Sequence, residues 1–311
     1  MVESVRLVDP RKVDRNPENP RLIFRQDELD ALAESIKRQG ILVPLTLYED
    51  RKKYKILEGE RRWRCAIKLG LSAIPAILVD KPDRMTNLMM MFAIHHRRNE
   101  WDPLPTAQKL KVLEELYEKG YAKKPTEREL AELSSLRIGE VRRLKKLLGL
   151  PEEYRELLLD ELEKPRSEQR LTVDQVLEAT VAAQALRKRG VLSEQEESTL
   201  RMALVEKFRS GVTENTVAPR LISKIARAVE RGDVNLKSAR NAALRLARDD
   251  NYSIEAAFRD TAADKDREHA IEMLAQRLLE KVNEARKDSL PLGPGVIVIF
   301  RKLRAALSGL S

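Results

Sequence analysis

The amino-acid sequence predicts an α+β N-terminal domain followed by mainly α-helical domains that include a helix-turn-helix. Apolar residues form strand-like runs as well as helical spacings up to about residue 79, and helical spacings from Thr126 until a terminal apolar run at 296–300. Of the 311 residues, 35% are charged and 4% are aromatic, which favours helices with extensive solvated faces over a thick β-sandwich. The length is sufficient for about two domains with a sizeable core.

The first domain is predicted over residues 1–121. A helix is expected at 28–39, where apolar residues recur at helical spacing and Gly40 provides a stop. The later elements, in chain order, are strands at about 41–48, 54–57 and 74–79, a helix around 85–92 and a helix that follows Pro105. Together these elements make a small α+β domain.

The second domain, residues 122–215, is predicted to hold the helix-turn-helix. Thr126 and Glu129 have the spacing of a capping box that starts the first helix, and the second helix covers about 137–148. The second helix of such a motif enters the DNA major groove by its N-terminal residues. We therefore assign base-facing positions to Arg137, Glu140 and Arg143, and phosphate-facing positions to Arg142 and Lys146.

The third region, residues 216–311, is predicted to be helical and to end in an apolar strand at 296–300. A fully apolar strand needs burial on both sides, so we expect it to be covered by its own domain or to extend a partner's sheet, in an interaction or dimerisation role. Between the helix-turn-helix and this strand, helices are expected at about 151–162, 172–189, 194–209, 215–231, 236–248, 253–260 and 264–286.

The segment Gly-Glu-Arg-Arg-Trp-Arg-Cys at 59–65 has the features of a phosphate-binding turn. It follows a predicted strand and opens a predicted helix, whose first backbone N–H groups lack partners within the helix and lie at its positive end. A glycine before them lets an anion approach closely, and Arg61, Arg62 and Arg64 add charge and forked donors. The residues of this helix expected to pack inward are Trp63, Ala66 and Ile67. A basic surface helix with one buried tryptophan is the alternative.

The charge balance of the chain is basic, with 59 Lys and Arg against 50 Asp and Glu. This balance favours a polyanionic partner such as double-stranded DNA, although it also fits ordinary solubility. The single cysteine, Cys65, excludes an intramolecular disulfide framework and fits a reducing compartment. The start of the chain has no hydrophobic signal region, and no apolar run approaches the ~20 residues needed to cross a bilayer, so we expect a cytoplasmic protein.

Several motifs follow one another along the first half of the chain. Asn-Pro-Arg at 19–21 precedes the segment 28–45, the phosphate-type turn lies at 59–65, and the helical segment 126–151 ends in Leu-Gly-Leu-Pro. In this order they resemble the sequence boxes and the DNA-binding helix-turn-helix of ParB-type chromosome and plasmid partition proteins. The resemblance implies a ParB and sulfiredoxin-like N-terminal fold, binding of CTP and Mg²⁺, slow nucleotide hydrolysis and clamping on DNA. It also implies a homodimer, a partition ATPase as partner and association with the nucleoid.

The nucleotide site implied by this resemblance consists of Gly59, Glu60, Arg61, Arg62, Arg64, His95, Arg97 and Arg98. The third box departs from the family pattern, because Ile94 and His95 stand where a Glu-Asn pair usually serves metal binding and hydrolysis. Neither side chain is the oxygen ligand that Mg²⁺ prefers, so we assign no metal ligand, regard Mg²⁺ as doubtful and expect at most a weak, CTPase-like nucleotide triphosphatase. Val43 replaces the usual glutamine of the first box, which leaves open whether CTP or another nucleoside triphosphate binds.

Three functions remain open at this point. The first is a ParB-like DNA-binding protein, a nucleotide-gated factor in partition or nucleoid organisation. The second is a sequence-specific transcriptional regulator without nucleotide turnover, and the third is a small-molecule kinase on the same N-terminal fold. Sulfiredoxin also resembles this fold, but its catalytic cysteine lies in the phosphate loop, whereas Cys65 lies within the helix and is expected to be a small buried side chain.

Overall fold

The computed structural model describes residues 4–21, 23–96 and 102–308. The strands of the N-terminal part are β1 (Val5–Val8), β2 (Val13–Asp14), β3 (Leu45–Asp50), β4 (Lys53–Glu58) and β5 (Ile74–Val79). They form one five-stranded sheet in the order β1-β5-β3-β4-β2. The predictions of β3, β4 and β5 are confirmed, whereas β1 and β2 were not predicted. β2 has only two residues and β1 buries only its last one, so neither shows the alternation that marks a strand.

β3 lies at the centre of the sheet, antiparallel to β4 and parallel to β5. Leu45 and Leu47 point to the same face of β3, as the two-residue period of a strand requires, and both are fully buried. Ile56 of β4 and Ile74 of β5 join them in one apolar cluster, which Ala66 of the following helix completes. The core of this part therefore lies between the sheet and the helix that carries the phosphate-type motif.

The helices that accompany the sheet are α1 (Gln26–Gln39), α2 (Glu60–Lys68), α3 (Arg84–His96) and α4 (Pro103–Tyr121). α1 and α2 pack together through Ile36 and Cys65. The prediction that Ile67 packs inward is wrong, because its side chain is 44% exposed whereas Cys65 is 1% exposed. Side chains two residues apart on a helix point in directions about 200° apart. Because Cys65 is buried, Ile67 therefore faces the surface.

Beyond residue 121 the ordered elements of the described chain are helices. They are α5 (Glu127–Ser134), α6 (Ile138–Leu148), α7 (Glu152–Glu163), α8 (Val173–Lys188), α9 (Glu194–Arg209), α10 (Arg220–Glu230), α11 (Leu236–Arg248), α12 (Ile254–Arg259), α13 (Ala263–Lys287) and α14 (Pro294–Leu307), with a short 3₁₀ helix at Arg166–Glu168. An α+β domain followed by helices is thus confirmed. Within the described ranges no helix has both the length and the apolar content needed to span a bilayer.

The chain divides into two compact units. The first contains residues 1–181 and 204–217, and the second contains residues 182–203 and 218–311. Helices α8 and α9 therefore each contribute residues to both units. The domain limits predicted after residues 121 and 215 stay predictions.

The predicted strand at 296–300 is wrong, because these residues lie within α14. Pro294 occupies the first turn of this helix, where its fixed φ favours helix initiation. The apolar run continues into Arg-Lys-Leu-Arg-Ala-Ala-Leu at 301–307, which are strong helix formers. Periodicity alone cannot distinguish a strand from a helix in such a short apolar run, so its flanks decide the outcome.

The capping box predicted at the start of α5 is confirmed. Thr126 Oγ1 accepts a hydrogen bond from Glu129 N at 3.2 Å, and Glu129 Oε2 accepts one from Thr126 N at 2.7 Å. Lys123 Nζ also donates to Glu129 at 2.8 Å. The hydrogen bonds from Lys123 and Thr126 lower the pKa of Glu129 from its ordinary value of 4.5 to about 2.

We expect Glu129→Gln to lower the thermal unfolding midpoint at pH 7 and to have little effect near pH 2. A carboxylate with a lowered folded-state pKa stabilises the fold fully above its unfolded pKa near 4.5, and this contribution is lost as the pH falls toward about 2. Thermal unfolding between pH 7 and pH 2 measures the effect. Glu132→Gln, in the same helix but outside the box, is the matched control, and a midpoint difference independent of pH would contradict the assignment.

Candidate functional site

Gly59 joins β4 to α2 and takes a conformation that other residues rarely adopt. Its φ of +100° lies in the left-handed region that favours glycine. A Cβ at this position would lie 2.8 Å from Leu45 Cγ and 3.1 Å from a terminal nitrogen of Arg62. The predicted succession of strand, glycine and helix is confirmed, with Glu58 ending β4 and Glu60 starting α2. The first N–H groups of α2 have no partner within the helix, which is the arrangement that binds anions.

Glu60 anchors the start of α2 and is only 7% exposed. Its carboxylate accepts a hydrogen bond from Asn19 Nδ2 at 2.7 Å and pairs with Arg64 at 2.7 Å. Asn19 Oδ1 accepts a hydrogen bond from Arg21 N at 2.9 Å. The guanidinium of Arg64 lies 3.9 Å from the ring centroid of Phe24, a favourable cation–π distance. Glu60 therefore ties the Asn-Pro-Arg segment to α2 and orients Arg64, and its contact with nucleotide stays a prediction.

Arg61 is directed toward Glu28, which lies in the first turn of α1. A terminal nitrogen of Arg61 is 3.6 Å from Glu28 Oε2, and Arg21 pairs with the same oxygen at 3.1 Å. The side chains of Arg61 and Glu28 are both partly exposed. A guanidinium and a carboxylate therefore lie side by side in this region, and the carboxylate was not predicted from the sequence.

Arg62 connects α2 to the segment that leads into β3. Its Nη1 donates to the carbonyl oxygens of Val43 and Pro44, the latter at 2.9 Å. Its Nη2 pairs with Glu58 at 3.2 Å. Through these bonds Arg62 links α2 to the segment before β3. Its contact with phosphate stays a prediction.

A pocket of about 240 Å³ adjoins Arg62 and opens between α1 and the segment that follows it. The apolar part of its lining consists of Leu32, Ile36, Ile41, Leu42 and Val43. Pockets for drug-sized ligands have volumes of roughly 300–1,000 Å³, so this one would accept only part of such a ligand, for example a planar base.

The third box of the predicted site is described only in part. Ile94 is half-buried on α3, and the backbone of His95 continues that helix. The side chain of His95, together with Arg97 and Arg98, lies outside the described residues. Among the described side chains, no three His, Cys, Asp or Glu residues come together as metal ligands would.

Cys65 is buried between α1 and α2, close to the phosphate-type turn. Its thiol donates to the carbonyl oxygen of Leu29 at 3.4 Å. Burial raises the pKa of the Cys65 thiol, while the charges of Arg61 and Lys68 partly oppose the shift. As expected from its position inside the helix, this cysteine is a small buried side chain and lacks the accessible thiolate that a sulfiredoxin-type nucleophile needs.

The α5–α6 hairpin has a short turn at residues 135–137. Ser135 takes a φ of +55°, and Leu136 N donates to the carbonyl oxygen of Ala131 at 3.1 Å, which closes the end of α5. Leu130 of α5 and Val141 of α6 are fully buried. Two short helices with this packing have the form that a helix-turn-helix needs.

Two of the predicted base-facing residues form a local pair at the start of α6. Arg137 precedes the helix and is exposed, and its guanidinium lies 3.0 Å from Glu140. The Glu140 carboxylate also accepts a hydrogen bond from Arg137 N at 2.8 Å. Glu140 thus caps α6, while Arg137 remains accessible at its N-terminus.

The remaining three predicted DNA-contacting residues lie along α6. Arg142 pairs with Glu127 of α5 at 2.7 Å, and Arg143 pairs with Asp174 of α8 at 2.9 Å. Lys146 is exposed and forms no ion pair with any side chain in the described part of the chain. α6 therefore carries four cations, these three and Lys145, of which Lys146 is the most available to a phosphate group.

Comparison with known proteins finds similarity to chromosome-partitioning and nucleoid occlusion proteins. Residues 1–93 match the family model described as the ParB N-terminal domain. The chain is 31% identical over 150 residues to the chromosome-partitioning protein ParB of Caulobacter vibrioides, which covers 47% of each protein. It is 33% identical over 158 residues to a nucleoid occlusion protein of a Geobacillus species, covering 50% of this chain and 54% of the relative. The chain thus spans about half the length of the curated relatives it matches.

Two of the similar solved structures are of C-terminally truncated chromosome-partitioning protein ParB from Caulobacter crescentus. The structure complexed with CTP-γ-S has 29% sequence identity and a TM-score of 0.30, covering 50% of this chain and 85% of that one. The structure complexed to the centromeric parS site has 22% sequence identity and a TM-score of 0.41, and the match covers 71% of this chain and 98% of that one.

Proposed function

We propose that this chain, whose residues 1–93 match the model of the ParB N-terminal domain, is a nucleotide-gated, DNA-binding factor in partition or nucleoid organisation. The observation that carries the proposal is the start of α2, where Gly59 opens the helix and Arg61 and Arg64 accompany it. The α5–α6 hairpin with its cations belongs to the same compact unit. A ligand site and a DNA-binding hairpin in one unit are what nucleotide-gated DNA binding requires.

We propose CTP, or another nucleoside triphosphate, as the ligand. Its phosphates would lie at the N-terminus of α2, where the helix dipole, Arg61 and Arg64 oppose their negative charge. Its base would enter the pocket beside Arg62, with Leu42 and Val43 as apolar wall. CTP is the first choice because residues 59–65 resemble the second box of a family that binds it.

We propose that turnover of this nucleotide is weak at most. Hydrolysis needs a metal ion held against the phosphates and a correctly oriented water molecule. Ile94 stands where the family places a carboxylate and offers no oxygen ligand, so the residues described here do not fit Mg²⁺ at that position. Arginines that stabilise the bound nucleotide equally in the ground and transition states raise affinity without raising the rate.

We propose that α6 lies in the major groove of DNA. Arg137 would reach base edges from the N-terminus of the helix, and Arg142 and Lys146 would neutralise phosphates along it. Each neutralised phosphate releases counterions, so binding should weaken steeply with salt. Association with the nucleoid follows from this proposal.

We propose that the chain forms a homodimer through α13 and α14. Ile271, Leu274 and Leu278 recur along α13 at the spacing of an apolar seam, and all are exposed. Ile299 and Leu303 of α14 are exposed as well. A second copy would remove these side chains from water. A partition ATPase as a further partner rests on the family resemblance alone.

A transcriptional regulator without nucleotide turnover is the second candidate. It is favoured by Ile94 and Val43, because both depart from the family pattern on the nucleotide side of the molecule. A small-molecule kinase is the third candidate and needs a carboxylate base near the γ-phosphate. Glu60 is poorly suited to that role, because its oxygens are engaged by Asn19 and Arg64.

The test measures binding of CTP, ATP, GTP and UTP to the full chain, with and without genomic DNA fragments, and records phosphate release. We expect nucleotide binding that Arg61→Ala weakens roughly 10- to 150-fold, since hydrogen bonds to charged groups contribute about 1.5–3 kcal/mol. Lys68→Ala, which removes an exposed cation from the same helix, is the matched control and should bind normally. Phosphate release should be near background and should rise when Ile94→Glu and His95→Asn are introduced together.

Each alternative gives a different result in this screen. DNA binding that ignores every nucleotide favours the transcriptional regulator. Conversion of the nucleoside triphosphate to the diphosphate in the absence of DNA favours the kinase, which would pass the phosphoryl group to a small-molecule acceptor. Undiminished nucleotide affinity in Arg61→Ala would remove the phosphate site from the start of α2.

A further inference from the structure

The carboxylate of Glu28 lies among four arginine side chains. Its Oε2 is 3.1 Å from Arg21 and 3.6 Å from Arg61, and its Oε1 is 3.8 Å from both Arg25 and Arg166. Guanidinium groups stay protonated in proteins, so this cluster always carries positive charge. Glu28 is therefore the anion around which arginines from three segments of the first unit are arranged: the stretch 21–25, α2 and the 3₁₀ helix.

Arg25 belongs to this cluster and keeps one hydrogen-bond donor unused among the described residues. Its terminal nitrogen pairs with Asp102 at 3.3 Å and donates to the carbonyl oxygen of Leu162 at 3.3 Å. Its Nε is buried and finds no hydrogen-bond partner among the described residues. Arg25 thus contacts two carboxylates, Glu28 and Asp102, and still holds one donor that no described residue uses.

We propose that Glu28 is an internal substitute for a phosphate group, which holds the arginine cluster together until the nucleotide displaces it. This inference rests on the proposed nucleotide site at the start of α2. Arg61 belongs to both the predicted phosphate site and the Glu28 cluster, so a phosphate that binds Arg61 competes directly with the carboxylate. Glu28 therefore lowers the affinity for nucleotide and stabilises the ligand-free arrangement.

Displacement of the Glu28 carboxylate would also change contacts of the segment after α7. Arg166, at the start of the 3₁₀ helix, contacts Glu28, and Arg25 contacts Leu162 in the last turn of α7. When phosphate replaces Glu28, Arg166 loses its carboxylate, and the 162–166 segment loses one of its links to α1. By thermodynamic reciprocity, whatever tightens this link weakens nucleotide binding. The side chain of Arg166 is 75% exposed, so solvent screens its contact with Glu28 and we expect the contact to have a small effect on nucleotide affinity.

The test measures binding of CTP and of inorganic tripolyphosphate to the full chain by calorimetry. Glu28→Gln should bind both ligands about two- to tenfold more tightly, the range expected when one competing charge is removed from a partly exposed cluster. Asp27→Asn, which removes the same charge from the neighbouring exposed residue, should change affinity less than twofold. If the wild-type chain binds nucleotide and Glu28→Gln binds it no more tightly, the proposed role of Glu28 is wrong, whereas the nucleotide site itself stands. Absence of binding in both proteins would overturn the proposed nucleotide site and this inference with it.

Hydrogen exchange provides a second measurement that does not depend on Glu28→Gln being stable. Tripolyphosphate should speed exchange in residues 162–166 of the wild-type chain, because the Arg166 link is released. Arg166→Ala, a substitution at an exposed position, should remove this increase while leaving tripolyphosphate affinity within about threefold. An increase that persists unchanged in Arg166→Ala would overturn the coupling between Glu28 and this segment.

Discussion

Gly59→Ala is expected to abolish nucleotide binding and to lower the free energy of unfolding. A non-glycine residue held at a φ of +100° is strained, at a cost of roughly 1–3 kcal/mol. The added Cβ would also meet Leu45 Cγ at 2.8 Å, and Leu45 is fully buried in the core and cannot move aside. Relief of this collision shifts the start of α2, which carries the N–H groups proposed to bind phosphate. Chemical denaturation and nucleotide binding measure the two effects.

Gly70→Ala is the matched control for this substitution. Gly70 lies just beyond the other end of α2 and has a φ of +67°, but a Cβ there would meet no atom within 4 Å. Gly70→Ala should therefore lower the free energy of unfolding by only about 1–2 kcal/mol, the cost of a left-handed backbone conformation in a residue with a Cβ. It should bind nucleotide normally. Equal loss of nucleotide binding in both variants would show that global destabilisation, and not the turn at Gly59, is responsible.

Simultaneous Arg142→Ala and Lys146→Ala substitutions are expected to weaken binding to cognate and random DNA alike. The slope of log affinity against log salt is negative, and each lost phosphate contact reduces its magnitude by about 0.9. The slope of the double variant should therefore be shallower by about 1.8. The Arg142–Glu127 pair is exposed, so its removal should have little effect on folding. Equilibrium DNA binding over a series of salt concentrations measures the slope.

Lys145→Ala is the control for the salt experiment, because Lys145 lies on the same helix but pairs with Glu114 of α4 at 3.0 Å. It should leave the slope unchanged. Arg137→Ala and Arg143→Ala should instead relax the preference for particular bases, by roughly 1–3 kcal/mol for each good bidentate contact. If every substitution reduces cognate and random binding equally, the division between base-facing and phosphate-facing residues is wrong.

The turn at Gly59 could be predicted from the sequence because all of its signals are local. A strand-forming run, one glycine and an amphipathic basic segment follow one another within a few residues. The capping box of α5 is equally local, since Thr126 and Glu129 are three residues apart. Short-range hydrogen bonding and periodicity decide such features, and both can be seen in a single sequence.

The surroundings of that turn could not be predicted, because they depend on contacts between distant residues. Glu60 and Asn19 are 41 residues apart, and Arg166 and Glu28 come from different helices of the fold. A charge pattern shows which residues are ionised but not which of them meet. The error at 296–300 has the same origin, since only the flanking residues and the tertiary environment distinguish a helix from a strand there.

The buried position of Cys65 makes it a natural reporter of motion in the N-terminal part. A thiol that is 1% exposed, with a raised pKa, reacts with alkylating reagents only when α1 and α2 separate. Its labelling rate therefore follows the opening of this interface, one side of which is the helix that Gly59 starts. Because it is the single cysteine of the chain, this chemistry needs no engineered probe, and ligands that close the site would register as a slower reaction.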